Sequence, residues 1–352
     1  MITKHKLLCL ILVSFSINVH AQHVISIGKY GALSNIGASS SASGATGVAE
    51  RGLSSAVLYN PACLNYQAFT ITVEMNGRMP MNLSSRDFYY DGIVSLPSLV
   101  TVGYSKDNWT LAAGYFNYYR QSNNGHHKIV GFPYSHWVTT VNELSRDIVI
   151  NSFTTSANYS SGPITYGITL GLNHLTDDES ETSEPTRTGR GLGVLVSSGI
   201  LLKVGDRLDF GTSIRYSSPI DFTLDTLYGK SDYSTRFPFI IESGFSSLIS
   251  PRIRVLASVE YQNYSTVYDF NRFLFQVHTG SIIYLSKNLN VRGGFFTRLN
   301  MEMYSQCFLT FGIDVKTPSL DLTLSVLDTH AFPIPYDYHQ TIISLGGTYM
   351  IE

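Results

Sequence analysis

The residues of this chain that could do chemistry are few, and each fails its own context test. His126 and His127 are adjacent in a connecting segment. A histidine metal pair on a helix needs i, i+4 spacing, so no metal is expected. Gly189-Arg190-Gly191-Leu192-Gly193 has the glycine density of a phosphate loop. Such a loop must run into a helix, whose N–H groups and dipole hold the anion. This one opens a strand. Ser, His and Asn are plentiful enough for a membrane lipase, but no G-x-S-x-G nucleophile elbow is present. Asp314 and Asp321 flank a turn at Lys316 and Pro318. Counting across it places them opposite each other on one face, either bridged by a cation or simply hydrated at a wide mouth. Cys63 and Cys307 are too few and too far apart for a disulfide framework. The expectation is a protein with no catalytic residue, no metal and no cofactor.

Composition narrows the class. Charged residues are 14% of the chain, against roughly 25% in soluble proteins. The formal net charge is −2, so there is no basic field to attract nucleic acid. Aromatics reach 12%, with 23 tyrosines. The N-terminus has the parts of a secretory signal: Lys4 and Lys6, an apolar run over 7–17, and the small-x-small site Val19-His20-Ala21. Export with cleavage after Ala21 is expected, and Cys9 inside the apolar run is lost with it. Beyond that point no apolar run approaches the 18 residues of a membrane helix. A secreted β-protein or an outer-membrane barrel remains.

Period-two alternation decides between them. Ile164, Tyr166, Ile168, Leu170 and Leu172 share one face, and Thr165, Gly167, Thr169, Gly171 and Asn173 share the other. Leu320 to Val326 and Ile253 to Tyr261 repeat the pattern. Short polar turns fall at Lys106-Asp107, Ser161-Gly162-Pro163, Gly205-Asp206, Ser250-Pro251, Lys287-Asn288 and Thr317-Pro318. Longer connections lie between them at 79–95, 121–145, 175–190, 217–235, 265–271, 300–303 and 329–337. Six short turns interleaved with seven long loops join 14 strands. The predicted fold is therefore all-β, a 14-stranded antiparallel transmembrane β-barrel with both termini on the periplasmic side. Strands of this length, tilted about 40°, rise roughly 25–30 Å, the thickness of the hydrocarbon layer. A soluble sandwich also alternates but has no reason to keep its long loops at one end. Trp109, Tyr115, Tyr119, Tyr216 and Tyr261 suit the aromatic girdles. The polar face carries Glu74, Asp209, Arg215, Glu242, Arg254, Glu260, Arg292, Arg298, Asp314 and Asp321, which a wet lumen tolerates. The long loops hold Phe132, Tyr134, Trp137, Phe332 and Tyr336, apolar enough to capture a hydrophobic ligand or to pack together as a lid.

Residues 22–67 do not alternate. A run of Gly, Ala and Ser leads into Leu58 and Tyr59 and then Asn60-Pro61-Ala62. Proline fixes its own φ and pushes the residue before it out of the helical region. The element is either a local cap that ends a short helix or the seat of a plug inside the barrel. The stretch Ser54-Ser55-Ala56-Val57-Leu58-Tyr59-Asn60-Pro61-Ala62, followed by a 14-strand pattern, resembles the FadL/TodX (OMPP1) family of outer-membrane transporters. In that family Asn-Pro-Ala lies in an N-terminal hatch, and an inward kink of the third strand opens a lateral exit. The resemblance implies a plug over 22–67, a barrel over 68–352 and a signal peptide over 1–21. It places Asn60, Pro61 and Ala62 in the plug motif and Leu58 and Tyr59 on its flank. It makes Ala112, Ala113 and Gly114 the lateral-opening candidates in a third strand over 108–120. The implied function is passive uptake of hydrophobic small molecules, such as long-chain fatty acids or hydrocarbons, through the cell outer membrane. The implied partners are the ligand and outer-membrane lipid, with no nucleic acid. Cys63, where the family has glycine, and Glu50-Arg51-Gly52 depart from the pattern. The PorV/PorQ-like barrels carry a similar element, which makes an accessory barrel with a secretion-system protein partner the alternative.

Overall fold

The computed structural model describes residues 23–25, 37–66, 69–78, 81–83, 88–90, 93–131, 138–181, 184–226, 229–235, 237–263, 273–300, 306–328 and 341–351. The expected signal peptide and the capture residues Phe132, Tyr134, Trp137, Phe332 and Tyr336 lie outside them. Fourteen long strands form the wall: β1 (Phe69–Arg78), β2 (Ile93–Lys106), β3 (Trp109–Gly131), β4 (Val138–Ser161), β5 (Ile164–Glu181), β6 (Glu184–Val204), β7 (Leu208–Ser217), β8 (Phe239–Ser250), β9 (Ile253–Asn263), β10 (Phe273–Tyr284), β11 (Leu289–Asn300), β12 (Gln306–Lys316), β13 (Leu320–Asp328) and β14 (Thr341–Ile351). Each pairs antiparallel with its sequence neighbours, and β14 closes on β1 from Ile351↔Phe69 to Ile342↔Arg78. Closure leaves no sheet edge unpaired, which a strand structure in lipid requires.

The alternation is inverted relative to a soluble protein. On β5, Tyr166, Ile168, Leu170 and Leu172 are 48–55% exposed, while Thr165, Thr169 and Asn173 are buried. A soluble sandwich would put those apolar side chains in its core. Here they face outward, and the inward side is small and polar. Trp109 is also exposed outward and packs on Tyr159 with ring centroids 4.7 Å apart, close to the short-turn end. Tyr261 packs on Phe273 and Phe275 near the opposite end.

The short turns fall at the expected places. Gly162 and Gly205 have φ of 60° and 65°, the left-handed conformation that glycine adopts without a Cβ clash. The long connections differ from expectation. The β3–β4 ladder continues without a loop to Gly131↔Val138, and β5–β6 to Glu181↔Glu184. Segments 121–145 and 175–190 are therefore largely paired hairpin, and the third strand runs to Gly131 rather than ending at 120. β3 has 23 residues, about 75 Å of contour, whereas β13 has 9. Strands β3 to β6 thus stand far beyond the rest of the wall. Segment 217–235 folds as its own hairpin, Ile220–Thr226 paired with Gly229–Thr235, with His23–Ile25 added parallel to the second strand.

One register is corrected. Asp314 pairs with Thr323 and Asp321 with Lys316, so the two carboxylates are not opposite each other. The turn begins one residue later than the count assumed, and in a period-two ladder that shift breaks the pair.

Candidate functional site

The plug lies inside the barrel, and its chain is short, small and buried. It comprises α1 (Ala38–Ala42), α2 (Ala56–Tyr59) and a 3-10 turn (Pro61–Cys63). Asn60 caps that turn and also anchors it. Its Oδ1 accepts from the Ala62 N–H at 3.0 Å, as a cap should. Its Nδ2 donates to the Val48 carbonyl at 2.6 Å and to Ile200 on β6 at 3.3 Å. The local-cap and plug readings are one geometry. Pro61 fits the first turn position because its missing N–H has no partner to lose there.

The wall is shaped to this knuckle. A Cβ on Gly199 would collide with Asn60 Oδ1, and one on Gly167 with the Pro61 and Ala62 backbone. Asn158 on β4 donates to the Leu64 carbonyl at 2.6 Å and the Pro61 carbonyl at 3.2 Å, and Thr169 on β5 donates to the Val57 carbonyl at 2.9 Å. Leu58 and Val57 join Leu99, Phe116, Leu195 and Leu201 of the wall in one buried apolar cluster. Tyr59 is half-buried, and burial pushes its hydroxyl pKa up.

On the opposite wall the plug is held by charge. Glu74 on β1 accepts from the Ala38 N–H at 2.7 Å and from Ser54 Oγ at 2.9 Å. Arg292 on β11 donates to Glu50 of the plug at 2.8 Å and to Asp314 on β12 at 2.7 Å. Thr310 on β12 accepts from the Gly44 N–H at 2.9 Å. The plug is therefore tied to both sides of the barrel and crosses the lumen. Of the lumenal charges expected to sit in a wet pore, Glu74, Asp209, Arg292 and Asp314 instead take part in anchoring it, Asp209 through Arg51 at 3.3 Å. Sequence reasoning placed Arg292 and Glu74 inward but had no signal for their partners.

The two sides of the plug differ in chemistry. On the short-turn side a cavity of about 500 Å³ is lined by Glu50, Arg51, Glu74, Lys203, Asp209, Arg254, Arg292 and Asp314 among others. On the long-hairpin side two apolar clusters face inward, among buried polar residues that include Asp177, Glu242, Glu260 and Gln276. Ile148, Ile150 and Leu175 cluster with Ile220, Phe222 and Phe237. Across the barrel, Phe296, Phe308, Leu327 and Ile342 pack with Ala45 of the plug. His278 stacks on Phe296 at 5.4 Å and Phe296 on Phe308 at 4.5 Å.

A closed antiparallel barrel of this shape has solved counterparts. The Ralstonia pickettii toluene transporter TbuX superposes with a TM-score of 0.71 at 12% identity, over 90% of this chain and 98% of that one. The Pseudomonas putida toluene transporter TodX gives 0.69 at 11%, over 91% and 100%. The chain has the TodX fold. A Pseudomonas aeruginosa FadL homologue gives 0.64 at 12%, over 94% and 100%. No protein-family model matches the sequence, and no curated protein matches it.

Within this TodX-type barrel the third-strand residues take a definite place. Ala112 is buried in the apolar cluster that holds the plug, and a Cβ on Gly114 would lie 3.6 Å from Val57 of the plug. The ladder is unbroken at Ala112, Ala113 and Gly114 on both sides, to β2 and to β4. The irregularity in β3 lies further on, between Asn117 and Tyr119. A bulge inserts its extra residue where backbone pairing can slip, and here that point is beyond buried Phe116.

Proposed function

We propose that this protein is an outer-membrane channel for passive uptake of hydrophobic small molecules. One observation carries the reading. The plug separates a long-hairpin side whose lumen carries two inward apolar clusters beside buried Glu242, Glu260 and Asp177 from a charged chamber on the short-turn side. A pore for polar solutes gains nothing from apolar clusters on its inner wall behind a seal. A hydrophobic cargo gains burial on that side, about 25 cal/mol per Å² of apolar surface, and meets a barrier of buried charge beyond it. No energy source is required, because transfer runs down a gradient. The toluene transporters TodX and TbuX share the fold, which supports a small hydrocarbon or related apolar compound as cargo.

Since the plug is tied to both walls, cargo leaves through the wall beside it. Ala112 and Gly114 are the small inward residues of β3 at that level, next to the bulge at 117–119. Opening there would deliver an apolar molecule straight into lipid.

Titrating purified protein with a fluorescent fatty acid and with toluene as competitor tests the reading. Saturable binding displaced by toluene is expected. Absence of saturable binding to either compound would overturn it. For the exit, Gly114→Val should slow uptake in a barrel that still assembles. Unchanged uptake would remove the β3 exit and leave the channel.

A further inference from the structure

The stretch Gly189-Arg190-Gly191-Leu192-Gly193, which is no phosphate loop, has a structural use. On β6 its three glycines are all buried on the inner face, and Leu192 is 68% exposed on the outer one. They make a track of bare backbone along the wall above the plug. The strand Ile220–Thr226 lies on it. A Cβ at Gly189 would meet the Phe222 ring at 2.6 Å, and one at Gly191 would meet Ile220 Cγ2 at 2.5 Å. A bulky side chain on the track would expel the hairpin.

The hairpin is two-faced. Ile220, Phe222 and Leu224 are buried against the track, with Ile148, Ile150 and Leu175 closing the groove. Asp221, Thr223 and Asp232 on its other face are exposed, and Thr223 donates to Asp232 at 2.8 Å. Its own ladder runs from Ile220↔Thr235 to Thr226↔Gly229, and its outer strand also carries His23–Ile25 in parallel, so the three strands keep their mutual backbone bonds if they move together. At its base Ser218 and Val194 exchange hydrogen bonds of 2.8 Å each, with Pro219 next in the chain. Seated, the hairpin hides an apolar groove and turns a polar face to the barrel mouth.

We propose that the 220–235 hairpin is a displaceable lid and that the glycine track beneath it is the receiving groove for hydrophobic cargo. Ile220 and Phe222 occupy the place of the ligand. With no side chains projecting, the track fits a flat ring or an unbranched alkyl chain rather than a bulky, branched molecule. The inference rests on the uptake reading above.

A disulfide tests it. Phe222 Cβ lies 3.3 Å from where a Cβ at 191 would sit, near the 3.5–4.5 Å of a natural bridge. In a Cys307→Ser background, G191C/F222C should take up labelled toluene or oleate when reduced and lose that uptake when oxidised. Phe222→Asp, which cannot seat the lid and leaves the track bare, should raise the initial rate. Equal rates for the oxidised and reduced double variant, with wild type transporting, would overturn the lid and leave the channel. If wild type transports neither compound, the uptake reading falls and the lid with it. Should the bridge fail to form, a Phe222→Asp rate no higher than wild type is the overturning result.

Discussion

Arg292 on the barrel wall and Glu50 in the plug meet at 2.8 Å, and each side chain is only 7% exposed. Arg292 also holds Asp314 at 2.7 Å, so one guanidinium joins the plug to two strands of the wall. A buried pair adds little net stability, but removing one partner strands the others. Its value here is positional: it fixes where the plug sits.

Arg292→Met should leave Glu50 and Asp314 as buried carboxylates without their cation. The cost is about 3–5 kcal/mol, enough to favour an unseated plug. The wall should survive, because the β10–β11 and β11–β12 ladders are backbone bonds. Planar-bilayer recording should show a conductance absent from wild type, with normal heat-modifiable migration on gels. Wild-type conductance in the variant would show that the pair does not hold the plug.

Asn60→Ala removes the Ala62 cap and the donors to Val48 and Ile200. Leaving buried groups unpaired costs about 1–3 kcal/mol. Gly199→Val attacks the same contact from the wall side. Because the two residues touch, their effects on thermal stability should fall short of additive in a double-mutant cycle. Strict additivity would mean that the contact is not made.

Cys63 reports the seal. It is fully buried, its Sγ lies 3.2 Å from the Val48 carbonyl, and burial pushes its thiol pKa well above the usual range. The thiolate is the reactive form. In a Cys307→Ser background, maleimide at neutral pH should label wild type slowly and Arg292→Met rapidly. Fast labelling of both would mean that the plug is not seated in solution.

The barrel was legible in the sequence because its signals are local. Each of the turns such as Gly205-Asp206 cuts a two-residue period, and both are read within a dozen residues. Ser54 to Ala62 was legible as an element outside the wall, a cap or a plug seat, because its small, apolar, non-alternating run has no place in a strand. The Arg292–Glu50 pair was not, since 242 residues separate its members and only the plug's path brings them together. Likewise the glycines at 189, 191 and 193 read as a motif in isolation. Their meaning depends on the hairpin that folds back from 220, a tertiary fact with no local signature. The Asp314 register failed by a single residue at the turn, the smallest error that can change a pairing.

Topology is open to a direct check. An epitope inserted between Gly131 and Val138 should bind antibody on whole cells, and one at Gly205-Asp206 should bind only after the outer membrane is opened. The reverse pattern would invert the barrel.

The central claim is that a plugged barrel with apolar clusters in its upper lumen passes hydrophobic molecules and not polar ones. The direct measurement is the uptake of labelled toluene, labelled oleate and a labelled small sugar by cells that make the protein and by cells that do not. The protein should speed entry of at least one apolar compound and leave sugar entry unchanged. Faster sugar entry with no gain for either apolar compound would mean a water-filled pore, and would contradict the account.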